Sequence, residues 1–431
     1  MNIQEAEVLM IGAGPANLAL AVAIEESGSR ELAQSALVLE QHSDVKWQRN
    51  LLFPWARSQV SFLKDLVTLR NPQSRYSFLN YLHEQGQLDE FVNLSTFNPY
   101  RWQLSDYQQW VANSLQHVGI RYNARTERIA PRFGDDGSIV GWTVTLAGGD
   151  IVRCRDVVIG IGRDAHVPEV FRNLPADRVI HSTQYGARIA QIPADRPLRP
   201  VVIGGAQSAA EMFMALHKDL PLCEPTIVLR SVGLQNYQTS RFVNELFFPS
   251  FVDEFYSMLP EAREQVLSEM HLTNYAGLAP PFLEEIYSML YQQKMLGQQR
   301  SVVRPLTEVV GAHAGADDVL LELRDRKTGK VEPLHCDLVL LGTGYEPGMP
   351  AMVRDLAGRL GLEEVTVSRR YRVDLGKPAW GAIYLQGVNE RTHGIADSLI
   401  SVLAHRSQDI TTDLMDRRAA EAGLATEAKT A

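Results

Sequence analysis

Cysteine is scarce and never paired in this chain: Cys154, Cys223 and Cys336 stand singly among 431 residues, with no CxxC anywhere. That spacing excludes a zinc ribbon or a dithiol redox motif, and the density is far below that of a secreted disulfide scaffold. Runs of Lys or Arg are also missing. The 42 basic residues are outnumbered by 51 acidic ones, a net charge of −9, which argues against a nucleic-acid-binding or anionic-membrane surface. Long hydrophobic runs are absent too. Ala16 to Ile24, the most apolar stretch near the start, falls well short of the roughly 20 residues a spanning helix needs. The opening MNIQEAEVLMIG carries neither a basic n-region nor a cleavage site. The expectation is a cytoplasmic globular protein of two or three domains whose partners are small molecules, with no nucleic acid and no membrane.

What the sequence does have is one pattern written twice. Val8 to Ile11 reads as a buried strand, GAGPAN (12–17) as a glycine turn opening a helix near Pro15, and ALVLE as a second strand ending in Glu40. Gly12 allows the tight turn, Gly14 admits a pyrophosphate to backbone amides, and the helix N-terminus supplies positive dipole to that anion. An acid at the end of the second strand can hold ribose hydroxyls. The second copy is RPVVIGGAQSAAE: strand Val201 to Ile203, a turn at Gly204 with Ala206 at the middle glycine position, a helix through Gln207 and Ser208, and a strand ending in Arg230. An arginine there pairs with a 2′-phosphate that an acid would repel, so this unit favours NADPH, with a solvated strand-end charge as the plainer reading.

The chain is therefore expected to be α/β, with two dinucleotide-binding, Rossmann-like domains. The first would comprise 1–166 and 336–431 and the second 167–235 and 300–335, with a small helical insertion at 236–299 rich in Phe, Tyr, Met and Glu. Strands RDVVIGIG (155–162) and CDLVLLGTG (336–344) look like a matching pair, the latter returning the chain to the first domain. The tail after about Gln408 reads as a frayed polar helix. One acid-ended and one arginine-ended unit is the arrangement of two-dinucleotide flavoproteins, FAD in the first and NADPH in the second; flavin supplies the reaction with O2 that side chains cannot.

Lys64, in SFLKDLVTLRNP (61–72), stands between apolar pairs. A local pair with Asp65 or another carboxylate would explain it, and so would a bound anion.

At this point the chain resembles the microbial N-hydroxylating flavin monooxygenases, the L-ornithine and L-lysine N-monooxygenases of hydroxamate siderophore pathways. The blocks that carry the likeness are GAGPANLALA (12–21), SFLKDLVTLRNP, FLNYLHEQGQL (78–88), GGAQSAAE (204–211), FVNELFFP (242–249), LTNY (272–275), GTGYEP (342–347) and THGIADSLISVLAHR (392–406). The resemblance implies that Lys64 and Asn244 hold the α-carboxylate of an amino acid, that Asn274 lies by the substrate and that Ser401 lies near the reacting amine. It implies FAD contacts at Gly12, Gly14, Pro15, Asn17, Glu40, Trp47 and Gln59, and NADPH contacts at Gly204, Gln207, Ser208 and Arg230. His393 and Asp397 would approach the flavin's other side, although a histidine at a helix entry is more often structural. The implied reaction is hydroxylation of a neutral side-chain amine by O2 through a C4a-hydroperoxyflavin, in a homo-oligomer, dimer or tetramer.

L-Ornithine is the first expected substrate, because FLKDLVTLRNP followed by FLNYLHEQGQL looks more like the ornithine branch. L-Lysine differs by one methylene, a discrimination of about 1–3 kcal/mol, and diamines are used by relatives. The chain departs from the family pattern at Gln48, Asn50, Leu51, Ser58, Ala206 and Ala396. Those after Trp47 leave open an uncoupled NADPH oxidase, and a non-catalytic flavoprotein is a further alternative.

Overall fold

Four consecutive apolar residues can be hidden only if both faces of their strand are covered. In the computed structural model, which describes residues 2–238, 240–275 and 277–430 with the side chains of 272–274 and 424–430 left aside, Val8, Leu9, Met10 and Ile11 are all buried. They end the strand Ile3–Ile11, which lies between Ala36–Leu39 and Ile151–Ile159 in parallel register. Gly119–Arg121 and Ile383–Leu385 extend the parallel part; Ile139–Leu146 and Thr126–Phe133 add an antiparallel flank, making seven strands. Parallel sheets of this kind are covered on both sides. One cover is the helix Pro15–Glu25, buried from Asn17 to Ile24.

A second, five-stranded sheet is parallel throughout, in the order Val302–Arg304, Thr226–Val228, Pro200–Ile203, Leu338–Leu341, Val179–His181. Leu338–Leu341 was expected to begin the return to the first domain; it instead sits inside the second sheet, beside the strand that carries the second glycine turn. The boundary at 336 is thus too early. Sequence could not separate the two options, because IGIG and LGTG both end their strands in Gly-x-Gly. Thr307–Ala314, Val319–Asp325 and Val331–Cys336 form a separate antiparallel sheet.

Between the halves of the second unit, Pro249–Ser257, Pro260–Asn274 and Pro280–Met295 are helices, each with proline in its first turn, where the missing N–H costs nothing. The final helix, Leu403–Thr430, is not merely a frayed polar tail. Ile410, Thr411 and Leu414 are buried, and Arg417 and Arg418 both reach the buried Asp156 of the first sheet, at 2.8 and 3.3 Å. Among the described residues no helix is long and apolar enough to cross a membrane.

A short segment of the first half reaches into the second. Leu51, Phe53 and Trp55 pack on the second unit's core, with Trp55 stacked on Phe53 at 5.1 Å and on Phe282 at 5.3 Å.

Candidate active site

The two glycine turns are built alike. Gly12 has φ +89°, and a Cβ there would lie 3.1 Å from the carbonyl oxygen of Gly160 at the end of the neighbouring strand. Gly204 has φ +130°, and its Cβ would lie 2.4 Å from the carbonyl of Gly342. At Gly204 the backbone approach rules out a side chain, and at Gly12 the positive φ with the tight approach disfavours one. Each turn feeds a helix with no side-chain cap, after Gly14 and after Ala206, so first-turn amides are left for an anion. Ala206 takes an extended conformation, φ −100°, that needs no glycine.

Glu40 holds the first turn directly: Oε2 accepts from Ala13 N at 2.8 Å and Oε1 from His42 N at 2.9 Å. Asn17 is held within the turn. It is fully buried, its amide donates to the carbonyls of Ile11 and Gly12, and its oxygen accepts from Gln386. With both donors used inside the protein, it locks the turn's backbone. Trp47 is half-buried against the first core. In the second unit Ser208 is half-buried at the helix start. Arg230 is exposed, and among the described residues no carboxylate pairs with its guanidinium. Its carbonyl accepts from Arg326.

Lys64 does not pair with its neighbour Asp65. Asp65, the obvious partner, is buried and occupied, accepting from the amides of Val67, Thr68 and Phe78 and from the Thr68 hydroxyl, all at 2.6–2.9 Å. Burial nevertheless pushes its carboxyl upward. Lys64 Nζ points elsewhere, toward Ser401 Oγ at 3.3 Å, and desolvation lowers its pKa. Among the described residues it has no carboxylate within ion-pair distance. A part-buried ammonium in contact with one hydroxyl is an incomplete site.

That contact brings together two of the expected substrate residues, Lys64 and Ser401. Asn244 ends the short helix Arg241–Asn244 and is exposed. Leu246 and Phe247, which follow it, pack against Ala396, Leu399 and Val402, the residues flanking Ser401. Asn274 closes its helix, but its side chain lies outside the described residues. Its neighbour Tyr275 donates to Glu390 and meets Ser398 at 3.2 Å, and Glu390 pairs with Arg163 at 3.1 Å. Those four residues tie the insertion to the C-terminal block; Tyr275 and Ser398 fall in the LTNY and THGIADS blocks, whereas no sequence signal marked Arg163 or Glu390.

His393 is structural in this geometry. It is buried, stacked on Tyr371 at 4.1 Å, with Nε2 on the Arg369 carbonyl and Nδ1 on Thr392. Burial holds its pKa down to about 4, so the ring is neutral. Asp397 binds Arg406 and the Asn389 amide. Gln59 is exposed, its amide 3.2 Å from Gln207 across the gap between the units. Of the departures, Asn50 bonds Thr183 and Ala187 of the second unit, Ser58 turns its hydroxyl onto Val60, and Gln48 is left-handed at φ +52°. Among the described residues no cluster of His, Cys, Asp and Glu could hold a metal.

Two dinucleotide folds facing each other, with an uncompensated lysine nearby, define an oxidoreductase of the two-cofactor monooxygenase class. The chain belongs to the L-lysine 6-monooxygenase/L-ornithine 5-monooxygenase family, whose model matches residues 4–347. An L-ornithine N(5)-monooxygenase of Pseudomonas aeruginosa is 38% identical over 416 residues, covering 95% of this chain and 93% of that one. The solved ornithine hydroxylase of the same organism superposes with a TM-score of 0.89 at 37% identity, over 96% of this chain and 99% of its own. Kutzneria sp. 744 ornithine N-hydroxylase, solved with reduced FAD, NADP+ and L-ornithine, also gives 0.89, at 32% identity and 96% and 100% coverage. The resemblance read from the motifs is borne out, and the protein is an N-hydroxylating monooxygenase.

Proposed function

We propose that this enzyme hydroxylates the side-chain amine of L-ornithine, with FAD at the first glycine turn, NADPH at the second and O2 as co-substrate, for assembly of a hydroxamate siderophore or related product. The observation that carries the substrate is Lys64: a half-buried cation without a carboxylate partner, beside Ser401. An α-carboxylate supplies the missing charge; a diamine would leave the ammonium unpaired.

The residues present fit both cofactors. The uncapped helix starts and the glycine backbones at 12 and 204 leave room and amides for pyrophosphates, and the unpaired Arg230 suits a 2′-phosphate. When bound, FAD accepts a hydride from NADPH and delivers its electrons to O2. The protein's share is positioning. Lys64 would fix the carboxylate with Asn244 closing over it, and the apolar wall of Phe247, Leu399 and Val402 would limit water near the amine. Only an unprotonated amine has the lone pair to take up oxygen, and its ordinary pKa is near 10, so the pocket must favour proton loss.

The test is NADPH- and O2-dependent turnover with L-ornithine, L-lysine, putrescine and cadaverine, reading hydroxylamine and peroxide together. Hydroxylamine from L-ornithine with little peroxide supports the reading. Peroxide with every amine and no hydroxylamine defeats it in favour of an oxidase.

A further inference from the structure

Gln59 and Gln207, the residues that face each other across the gap between the two units, do not meet by chance of loop placement. Gln207 Oε1 accepts from Gln59 Nε2 at 3.2 Å and lies 3.4 Å from the Ala279 amide, while its Nε2 donates to Glu211 Oε1 at 2.8 Å. Glu211 is one helical turn further along Gln207–Asp219 and is 1% exposed. It is gripped by Arg101 of the first unit's helix Arg101–Ser114 in a two-pronged pair, Nη1 to Oε2 at 2.8 Å and Nη2 to Oε1 at 2.5 Å. Arg101, 5% exposed, also donates to the Leu51 carbonyl, in the segment that enters the second core.

From this arrangement we propose that Arg101 and Glu211 are positioning residues for hydride transfer, a buried strut that sets the second glycine-turn helix against the first unit and so aligns Gln207 with Gln59. The inference rests on the cofactor assignment above. The step it serves is transfer of one hydride, two electrons with a proton, from NADPH to FAD, leaving NADP+ and reduced flavin. Neither strut residue touches the exchanging atoms. Their effect travels through Gln207, which shares the carboxylate oxygen that Arg101 holds.

A buried ion pair of this geometry is a poor device for stability alone, since replacing both partners with apolar residues is commonly neutral, whereas removing one strands a charge. The decisive variant is therefore the double Arg101→Met/Glu211→Met, with Arg101→Lys as the conservative control that keeps the charge but loses the fork. Three quantities are read: amide hydrogen exchange at 210–214 in the FAD-free protein, NADP+ affinity by calorimetry, and the rate of flavin bleaching by saturating NADPH in the loaded enzyme. With folding and FAD retention intact, the double variant should exchange at 210–214 at least about tenfold faster than wild type while amides of 8–11 are unchanged. NADP+ affinity and bleaching should each fall about tenfold, with Arg101→Lys in between. Unchanged bleaching overturns the proposal, whether or not exchange has risen, because the strut would then be structural only. If wild-type flavin is not bleached by NADPH at all, the cofactor assignment fails, while unchanged exchange in the FAD-free double variant would by itself dispose of the strut.

Discussion

Arg406→Met should be among the most destabilising single substitutions in the described chain. Arg406 is 2% exposed and holds two buried partners: Nε donates to Gln386 at 3.1 Å, and Nη1 to the carbonyl and carboxylate of Asp397 at 2.6 and 2.9 Å. Gln386 in turn holds Asn17 of the first glycine turn, and Asp397 holds the Asn389 amide. The side chains of the ion pair are 1% and 0% exposed, so truncation strands the carboxylate's charge in the interior, a loss of about 3–5 kcal/mol. Two further acceptors go unpaired, but contributions within one network do not add, and the lower bound of about 3 kcal/mol is the figure to test. Denaturant unfolding followed by far-UV circular dichroism, at saturating FAD, measures it. Adding Asp397→Asn removes the stranded charge while an oxygen remains for the Asn389 amide, so the double variant should recover part of the loss. A loss below about 1 kcal/mol for Arg406→Met, the size of an ordinary substitution, would refute the view that this network joins the turn to the segment carrying Ser401.

Three other outcomes are expected. His393, held neutral with a pKa of about 4 against 6.5, binds fewer protons folded than unfolded. Its contribution is therefore present above pH 6.5 and lost as pH falls toward 4, about 3 kcal/mol in all; His393→Gln should lose correspondingly less between pH 7 and 4.5, measured by urea unfolding. Lys64 must be charged to hold a carboxylate, and burial lowers its pKa, so KM for L-ornithine should climb at alkaline pH while kcat still rises with the neutral amine fraction; a KM flat to about pH 10 counts against it. Arg230→Ala, at an exposed residue without a partner, should raise KM for NADPH about 10- to 100-fold and leave NADH and the unfolding midpoint unchanged, and equal effects on both coenzymes would remove Arg230 from the 2′-phosphate.

How much of this could be read beforehand depended on sequence distance. The turns at Gly12 and Gly204 were legible because their causes are local: a run of buried apolar residues, a backbone that cannot carry a Cβ, a helix start. The destination of Leu338–Leu341 was not, because a strand's own residues do not say which of two parallel sheets will accept it. The bonds of Asn17 were not legible for the same reason, its oxygen being bound by Gln386, 369 residues away. Lys64 announced an oddity but not its resolution: the demands on Asp65 come from nearby amides and one hydroxyl, and Ser401 is 337 residues distant. The strut pair lies 110 apart, and neither member stands out among the other charges.

The central claim is that Lys64 selects a carboxylate-bearing amine, and kcat/KM for L-ornithine against putrescine in wild type and Lys64→Met tests it most directly. Wild type should prefer L-ornithine by about 10- to 100-fold, the worth of one charge-assisted contact, and the variant should lose that preference mainly through KM for L-ornithine. A preference that survives the loss of Lys64 would show that the carboxylate is read elsewhere, and that the lone lysine beside Ser401 has another purpose.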